Sequence, residues 1–259
     1  MNDETNNTGP LANAAPPLPP VVDRATWEAQ LDELRVREKA RTREGDAIAA
    51  ARRRLPMVEV DAATPLIGAQ GPVPLLEVFE GRRQLVAYYF MWHEGKPAEQ
   101  QCEGCTFFNG QVRELAYLHS RDVTFATFCE GPYAESAAYH DFMGWEMPWY
   151  SAQGSEDALL AGRFFGMLVC YLRAGDRVYE TYWNSWRATE IMTPSYGLLD
   201  MTVYGRQETW EDSPTGWPKW WPNNGDQFRT GGRPSSQWSR LAAGRSDDLG
   251  AAGPPDERA

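Results

Sequence analysis

Positive charge is in short supply in this sequence. Its 25 Lys and Arg face 36 Asp and Glu, giving a formal net charge of −11 and a pI near 4.8. A surface of that sign repels phosphodiester backbones and anionic headgroups, so neither nucleic acid nor a membrane is an expected partner. Long apolar runs are missing too: nothing approaches the roughly 20 residues that span a bilayer. The first twenty residues have neither a basic start nor an apolar stretch. They do not read as a signal peptide, and a cytoplasmic protein is expected. There are only three histidines, with no pair at ligand spacing. Gly-x-Gly-x-x-Gly, the P-loop, a Ser-His-Asp pattern and internal repeats are all absent. Four cysteines, Cys102, Cys105, Cys129 and Cys170, do not make a disulfide framework in a reducing compartment.

What the sequence does have is concentrated between Gln84 and Leu118. Leu85 to Trp92 is an apolar run without Gly, Pro or charge. A loop, His93-Glu-Gly-Lys-Pro97, leads to Cys102-Glu-Gly-Cys105. Phe108, Val112 and Leu115 continue from Cys105 in steps of three and four, a helical stripe. The cysteine pair therefore falls where a buried strand hands over to a helix. There Cys102 meets unpaired amides and the positive end of the helix dipole, which favour a thiolate. Cys105 follows about one helical turn later, within reach of a disulfide. Glu103 opposes ionisation of Cys102, and His93 and Lys96 are the nearest cations in the preceding loop. Zinc needs two further ligands. Cys129 and Cys170 lie in predicted strands as small buried residues, and His119 and His140 read as surface residues near helix ends. No metal and no cofactor are expected.

The rest of the chain divides by composition. Residues 1–22, with five prolines, read as a disordered tail. Residues 23–56 form a charged helical arm capped by Asp23 or Thr26, with Trp27, Leu31 and Leu34 on one stripe. The favoured reading is a solvated helix with one apolar stripe; an arm packed on the body by that face, or a dimer contact, is the alternative, so a homodimer is one expectation. Residues 57–204 hold the main domain. Its expected elements are a short strand at Val58–Val60, the central strand and cysteine helix, and a strand from Asp122 to Cys129. A helix from Tyr133 to Met143 is stopped by Gly144, a helix after Ser155 follows, and a hairpin turns at Gly175-Asp176. Residues 205–241 are irregular and rich in Pro, Gly and Trp, and 242–259 read as a second disordered tail. The predicted fold is α/β: a thioredoxin-like mixed sheet flanked by helices, with an N-terminal helical arm and an irregular C-terminal extension.

Several stretches together resemble the bacterial thioredoxin-like family labelled domain of unknown function 899. They are Trp27 to Glu59 with its Arg52-Arg-Arg-Leu-Pro56 ending, Phe79-Glu-Gly81, Leu85 to Trp92 and the Cys-x-x-Cys followed by aromatics. Asp122-Val-Thr-Phe-Ala126, Met143-Gly-Trp145 with Pro148-Trp149, and Leu199-Asp200 complete the set. The resemblance covers roughly residues 27 to 210. It implies a thioredoxin-like fold and suggests thiol redox chemistry. The chain departs from the wider superfamily in three places. Gln101 stands where thioredoxins carry Trp. No proline precedes the hairpin at Phe165-Gly166-Met167. Pro97 is five residues before Cys102 and eight before Cys105, which does not fit the peroxiredoxin pattern Pro-x-x-x-Thr/Ser-x-x-Cys.

These features point to a thiol-disulfide oxidoreductase with Cys102 as nucleophile and Cys105 as resolving thiol. Its expected partners are a disulfide-containing protein or small molecule and a thiol reductant. The hairpin's second strand should end near Cys102, which makes Trp183 and Trp186 candidates for a wall of the substrate cleft. The Trp217 to Trp221 cluster either covers the same mouth or anchors the extension to the body, the second being favoured. The rival readings are a redox-silent binding module of the same fold, a thiol peroxidase and a zinc-stabilised module.

Overall fold

The computed structural model describes residues 15–221 and 226–249. Its chain order begins with α1 (Arg24–Arg52), β1 (Val58–Val60), β2 (Pro65–Gly68), β3 (Gly71–Pro74), α2 (Leu75–Val78) and β4 (Gln84–Phe90). Next come α3 (Glu103–Gly110), α4 (Ala116–His119), β5 (Val123–Cys129), α5 (Tyr133–Met143), β6 (Trp149–Ser151) and α6 (Glu156–Leu160). The long hairpin β7 (Met167–Ala174) and β8 (Arg177–Ser185) leads into a 3-10 segment, Trp186–Met192, and then α7 (Pro194–Leu199). The extension adds a two-residue ladder, β9 (Arg229–Thr230) with β10 (Arg233–Pro234), and α8 (Trp238–Ala242).

Eight strands form one sheet in the order β1-β8-β7-β4-β5-β6-β2-β3. Strand β4 pairs parallel with β5 from Gln84↔Val123 to Phe90↔Cys129, and antiparallel with β7 from Gln84↔Leu172 to Tyr89↔Met167. Both faces of β4 are covered, which is why it reads as an unbroken apolar run. Successive side chains point to opposite faces. Leu85, Ala87 and Tyr89 enter one core with Phe128, Val169 and Leu75. Tyr88 and Phe90 enter the other with Cys102, Cys105, Tyr139 and Trp149. Helices lie on both faces, and the arrangement is α/β and agrees with a thioredoxin-like description.

Several local expectations meet a different outcome. The arm helix α1 forms, with Asp23 accepting from the Thr26 amide at 2.8 Å, and it buries no residue, which fits the solvated helix and not an arm packed on the body by one face. Trp27 and Leu34 are about half exposed, and the C-terminal Arg52 sits over the Tyr182 ring at 4.8 Å. A helix dense in Arg, Glu and Ala holds through intrinsic propensity without a packed face. The stripe beyond the cysteines does not make one helix: α3 stops at Gly110, and Leu115 lies just before the short α4. The hairpin β2–β3 was not among the expected elements, because its strands are too short and Pro-rich to show a strand pattern. Ser155 precedes α6 but turns its hydroxyl to the Pro65 carbonyl at 2.7 Å. His140 is partly buried rather than fully at the surface, its ring packed on Trp145 and Trp149. Of the stretch 242–259 expected to be disordered, residues 242–249 are placed on the body. Arg245 donates to the Asp141 and Phe142 carbonyls, and Leu249 packs on the second core. Residues 1–14 and 250–259 of the two expected tails lie outside the described residues.

The first core holds one polar pair. The hydroxyls of Tyr89 and Tyr171 meet at 2.6 Å, with both side chains essentially buried. Tyr89→Phe removes one partner and leaves the Tyr171 oxygen unmatched, which should cost about 1–3 kcal/mol in urea unfolding. Tyr89→Phe with Tyr171→Phe removes both groups and should recover most of that loss. A double variant less stable than the single one would show that the Tyr171 hydroxyl is stabilised by something other than Tyr89 and would overturn the pairing.

Candidate functional site

The site begins with the exit from β4. The chain leaves the sheet after Phe90 and must return as α3. Gln101, fully buried, holds that excursion together. Its amide donates to the carbonyls of His93 (2.9 Å) and Lys96 (2.8 Å), and its oxygen accepts from the His93 amide (3.0 Å). Trp92 is fixed on the other side: its indole donates to Glu135 at 2.9 Å. Gly131 is the one residue type that fits beneath that ring, because a Cβ there would lie 2.0 Å from it.

The loop delivers Cys102 to the N-cap of α3, where its sulfur accepts the Cys105 amide at 3.4 Å. Thr106 donates its hydroxyl to the Cys102 carbonyl at 2.7 Å and meets the Tyr139 hydroxyl at 2.8 Å. Both thiols are free, and Cys102 is 7% exposed against 1% for Cys105. Their acidities diverge. A hydrogen bond from the Cys105 thiol holds the Cys102 thiol below its ordinary value; burial and the Glu103 charge oppose this, and the Cys105 and Gly104 amides assist it. Burial first, and then that same bond to Cys102, push the Cys105 thiol well up, against help from Tyr88 and the Met91 amide. The Met91 amide lies 3.4 Å from the Cys105 sulfur. Burial also raises the two remaining thiols, Cys129 to about 12 and Cys170 to about 11.

Beside the cysteines lies a cavity of about 580 Å³. Its floor is Tyr88, Cys102 and Cys105, and one side is Phe165 and Gly166. Gly166 has φ 90° and donates its amide to the Tyr89 carbonyl at 2.7 Å, starting β7 beside the loop. A Cβ on it would stand 3.4 Å from the Met91 methyl. The far wall comes from the segment after β8 and from the extension. Arg187 pairs with Glu190 at 3.0 Å and lies over the Trp210 ring at 4.1 Å. Arg206, largely buried, pairs with Glu190 (3.0 Å) and Asp200 (2.8 Å) and backs the Tyr196 ring at 3.9 Å. Glu208 is buried, which raises its carboxyl above the usual carboxylate range, while the Trp210 indole N–H donates to it and pulls the other way.

The extension also reaches the cysteine loop. Arg229 donates to the carbonyls of Glu99 (2.6 Å) and Gln101 (3.0 Å) and pairs with the Glu103 carboxylate at 3.0 Å. Phe228 packs among Phe107, Phe108 and Tyr196. Gln237, fully buried, donates to the Ala98 carbonyl (2.8 Å) and the Tyr139 hydroxyl (2.6 Å).

Of the residues singled out in the sequence, Cys102, Cys105 and Trp186 come together at this cavity. Trp183 is not among the lining residues and stacks instead with Arg163 at 5.0 Å. Trp217, Trp220 and Trp221 do not line it either: Trp217 packs edge-on to Tyr204, and the amides of Trp220 and Trp221 donate to the Gln207 carbonyl. His93 turns its ring to the Gln100 carbonyl (2.8 Å), so the cation paired within the Cys-x-x-Cys is Arg229. Sequence spacing gave no sign of Arg229, Phe228, Glu208 or Tyr196. Among the described residues no group of three or more His, Cys, Asp or Glu is placed to hold a metal ion.

The Arg229–Glu103 pair yields a signed prediction. Glu103 works against the Cys102 thiolate and Arg229 offsets that charge. The pH midpoint of Cys102 alkylation by iodoacetamide, which access to the sulfur does not move, should therefore fall in Glu103→Gln and rise in Arg229→Met. The double variant should resemble Glu103→Gln in this midpoint, because the guanidinium acts on the thiol's acidity through the carboxylate. Midpoints that match wild type in both single variants would remove this electrostatic role.

A family model described as a bacterial protein of unknown function (DUF899) matches residues 16–228, most of the chain and all of the sheet. No curated protein matches the sequence. The chain belongs to the bacterial DUF899 family.

Proposed function

We propose that the chain is a thiol-disulfide oxidoreductase of thioredoxin-like construction that cycles Cys102 and Cys105 between dithiol and disulfide. One observation carries this: two adjacent free thiols of opposed acidity, the more acidic at a helix N-cap and beside a cavity. The Cys102 thiolate attacks one sulfur of a substrate disulfide, breaking its S–S bond and releasing one thiolate. Cys105, losing its proton, attacks the Cys102 sulfur and releases the second. The substrate gains two electrons and two protons, and the protein keeps a Cys102–Cys105 disulfide for an external dithiol to reduce. Disulfide reduction ranks above peroxide reduction, since the sequence around Pro97 lacks the Pro-x-x-x-Thr/Ser-x-x-Cys pattern.

A redox-silent binding module is the second reading, favoured by the low exposure of Cys102. Thiol labelling with mass spectrometry across a glutathione or dithiothreitol series separates the two. A working dithiol should titrate as one reversible two-electron step within about −220 to −320 mV. Cys102→Ser should abolish the step, and Cys105→Ser should trap mixed disulfides on Cys102. If no disulfide forms, or labelling of Cys102 requires denaturant, the oxidoreductase assignment is overturned in favour of the binding module.

A further inference from the structure

The cavity above Cys102 restricts what can reach the sulfur. Its volume of about 580 Å³ lies within the range of sites that enclose small organic molecules. The walls are mostly aromatic: Phe108, Phe165, Trp186, Tyr196, Trp210 and Phe228. A disulfide in a folded protein brings two backbones with Cα atoms roughly 5.5 Å apart. To meet Cys102 it would need an open, shallow surface around the sulfur. Here Cys102 is 7% exposed, and Phe228 is held over the α3 N-terminus by Arg229, with its ring 3.6 Å from where a Gly104 Cβ would be.

Charge narrows the occupant further. Three carboxylates line the cavity, and each has a partner: Glu103 with Arg229, Glu190 with Arg187 and Arg206, and Glu208 with the Trp210 indole. The one lining cation, Arg187, shares its Nε–H with Glu190 and covers Trp210. Among the described lining residues the charges are matched within the protein, and no basic cluster awaits an anionic substrate. What the walls offer is stacking area, worth most to a flat apolar body.

Building on the oxidoreductase assignment, we infer that this cavity is the binding site for a small, uncharged disulfide with aromatic substituents, and that folded-protein disulfides are not its substrates. One aromatic group lies against Trp186 and Phe228 while the near sulfur meets Cys102. Attack breaks the substrate S–S bond and the first aromatic thiolate leaves. Cys105 then displaces the second, and the two thiol protons of the protein accompany them.

The test uses the full-length reduced protein and four disulfides: 2,2′-dipyridyl disulfide, bis(2-hydroxyethyl) disulfide, glutathione disulfide and insulin. Each second-order rate constant is divided by that of free dithiothreitol with the same disulfide, which removes intrinsic reactivity. The normalised value for the dipyridyl compound should exceed those for the hydroxyethyl compound and glutathione disulfide at least tenfold, and that for insulin at least a hundredfold. Trp186 is 77% exposed, so Trp186→Ala should fold, and it should erase most of the aromatic preference. Equal normalised rates, or insulin as the best substrate, would overturn the inference while leaving a working dithiol intact. Failure of the oxidoreductase assignment looks different: all four rates are negligible and Cys102 forms no disulfide in the redox titration. A preference that survives Trp186→Ala unchanged would overturn the placement of the aromatic group.

Discussion

Burial of β4 on both faces is the constraint from which the site follows. With Leu85, Ala87 and Tyr89 committed to one core and Tyr88 and Phe90 to the other, the strand has no freedom of register. Its parallel partner β5 and antiparallel partner β7 fix its two edges. The chain must then leave the sheet at one place, after Phe90, and come back over the face that holds Tyr88. That return is α3, and its first turn carries the cysteines. Tyr88 thus serves twice: it fills the second core and sets its hydroxyl against the Cys105 thiol.

Burying polar chemistry in this position requires many matched groups. Gln101 satisfies three backbone groups of the loop, and Tyr139 ties Thr106 of α3 to Gln237 of the extension. Burial does most to raise the Cys105 thiol, and the hydrogen bond it gives to Cys102 adds to that rise while favouring the charged form of Cys102. The Glu103 carboxylate opposes the charged form of Cys102. Arg229, from more than a hundred residues away, lies against that carboxylate.

Strands β1, β4 and β5, the α5 helix with its Gly144 stop, and the β7–β8 hairpin were legible because each has a local cause: alternation or continuous apolar runs, a residue able to adopt φ 58°, a Gly-Asp turn. So was the cysteine pair at a strand-to-helix junction. The extent of α3 was not, since the stripe through Val112 and Leu115 reflects packing on the second core across a break in the helix. The cleft was legible only on its near side. Trp186 follows from where β8 ends, whereas Trp183 shares that stretch but leaves it on the opposite side toward Arg163. Glu208 and Trp210 come from irregular backbone, and Tyr196 and Phe228 from helical pieces of six and three residues, too short for a period to relate sequence position to direction. Their convergence depends on ion pairs of Arg206 and Arg229 that only the folded chain brings together.

The family match ends at residue 228, one position before Arg229. The floor of the cavity, with Tyr88, Cys102, Cys105 and Gly166, belongs to the matched region, as do the aromatic walls up to Phe228. The groups that press the Phe228 segment onto the cysteine loop lie beyond it: Arg229 on Glu99, Gln101 and Glu103, and Gln237 on Ala98 and Tyr139. One guanidinium thus meets both the carboxylate beside Cys102 and the backbone of the loop that carries it, next to the Phe228 ring.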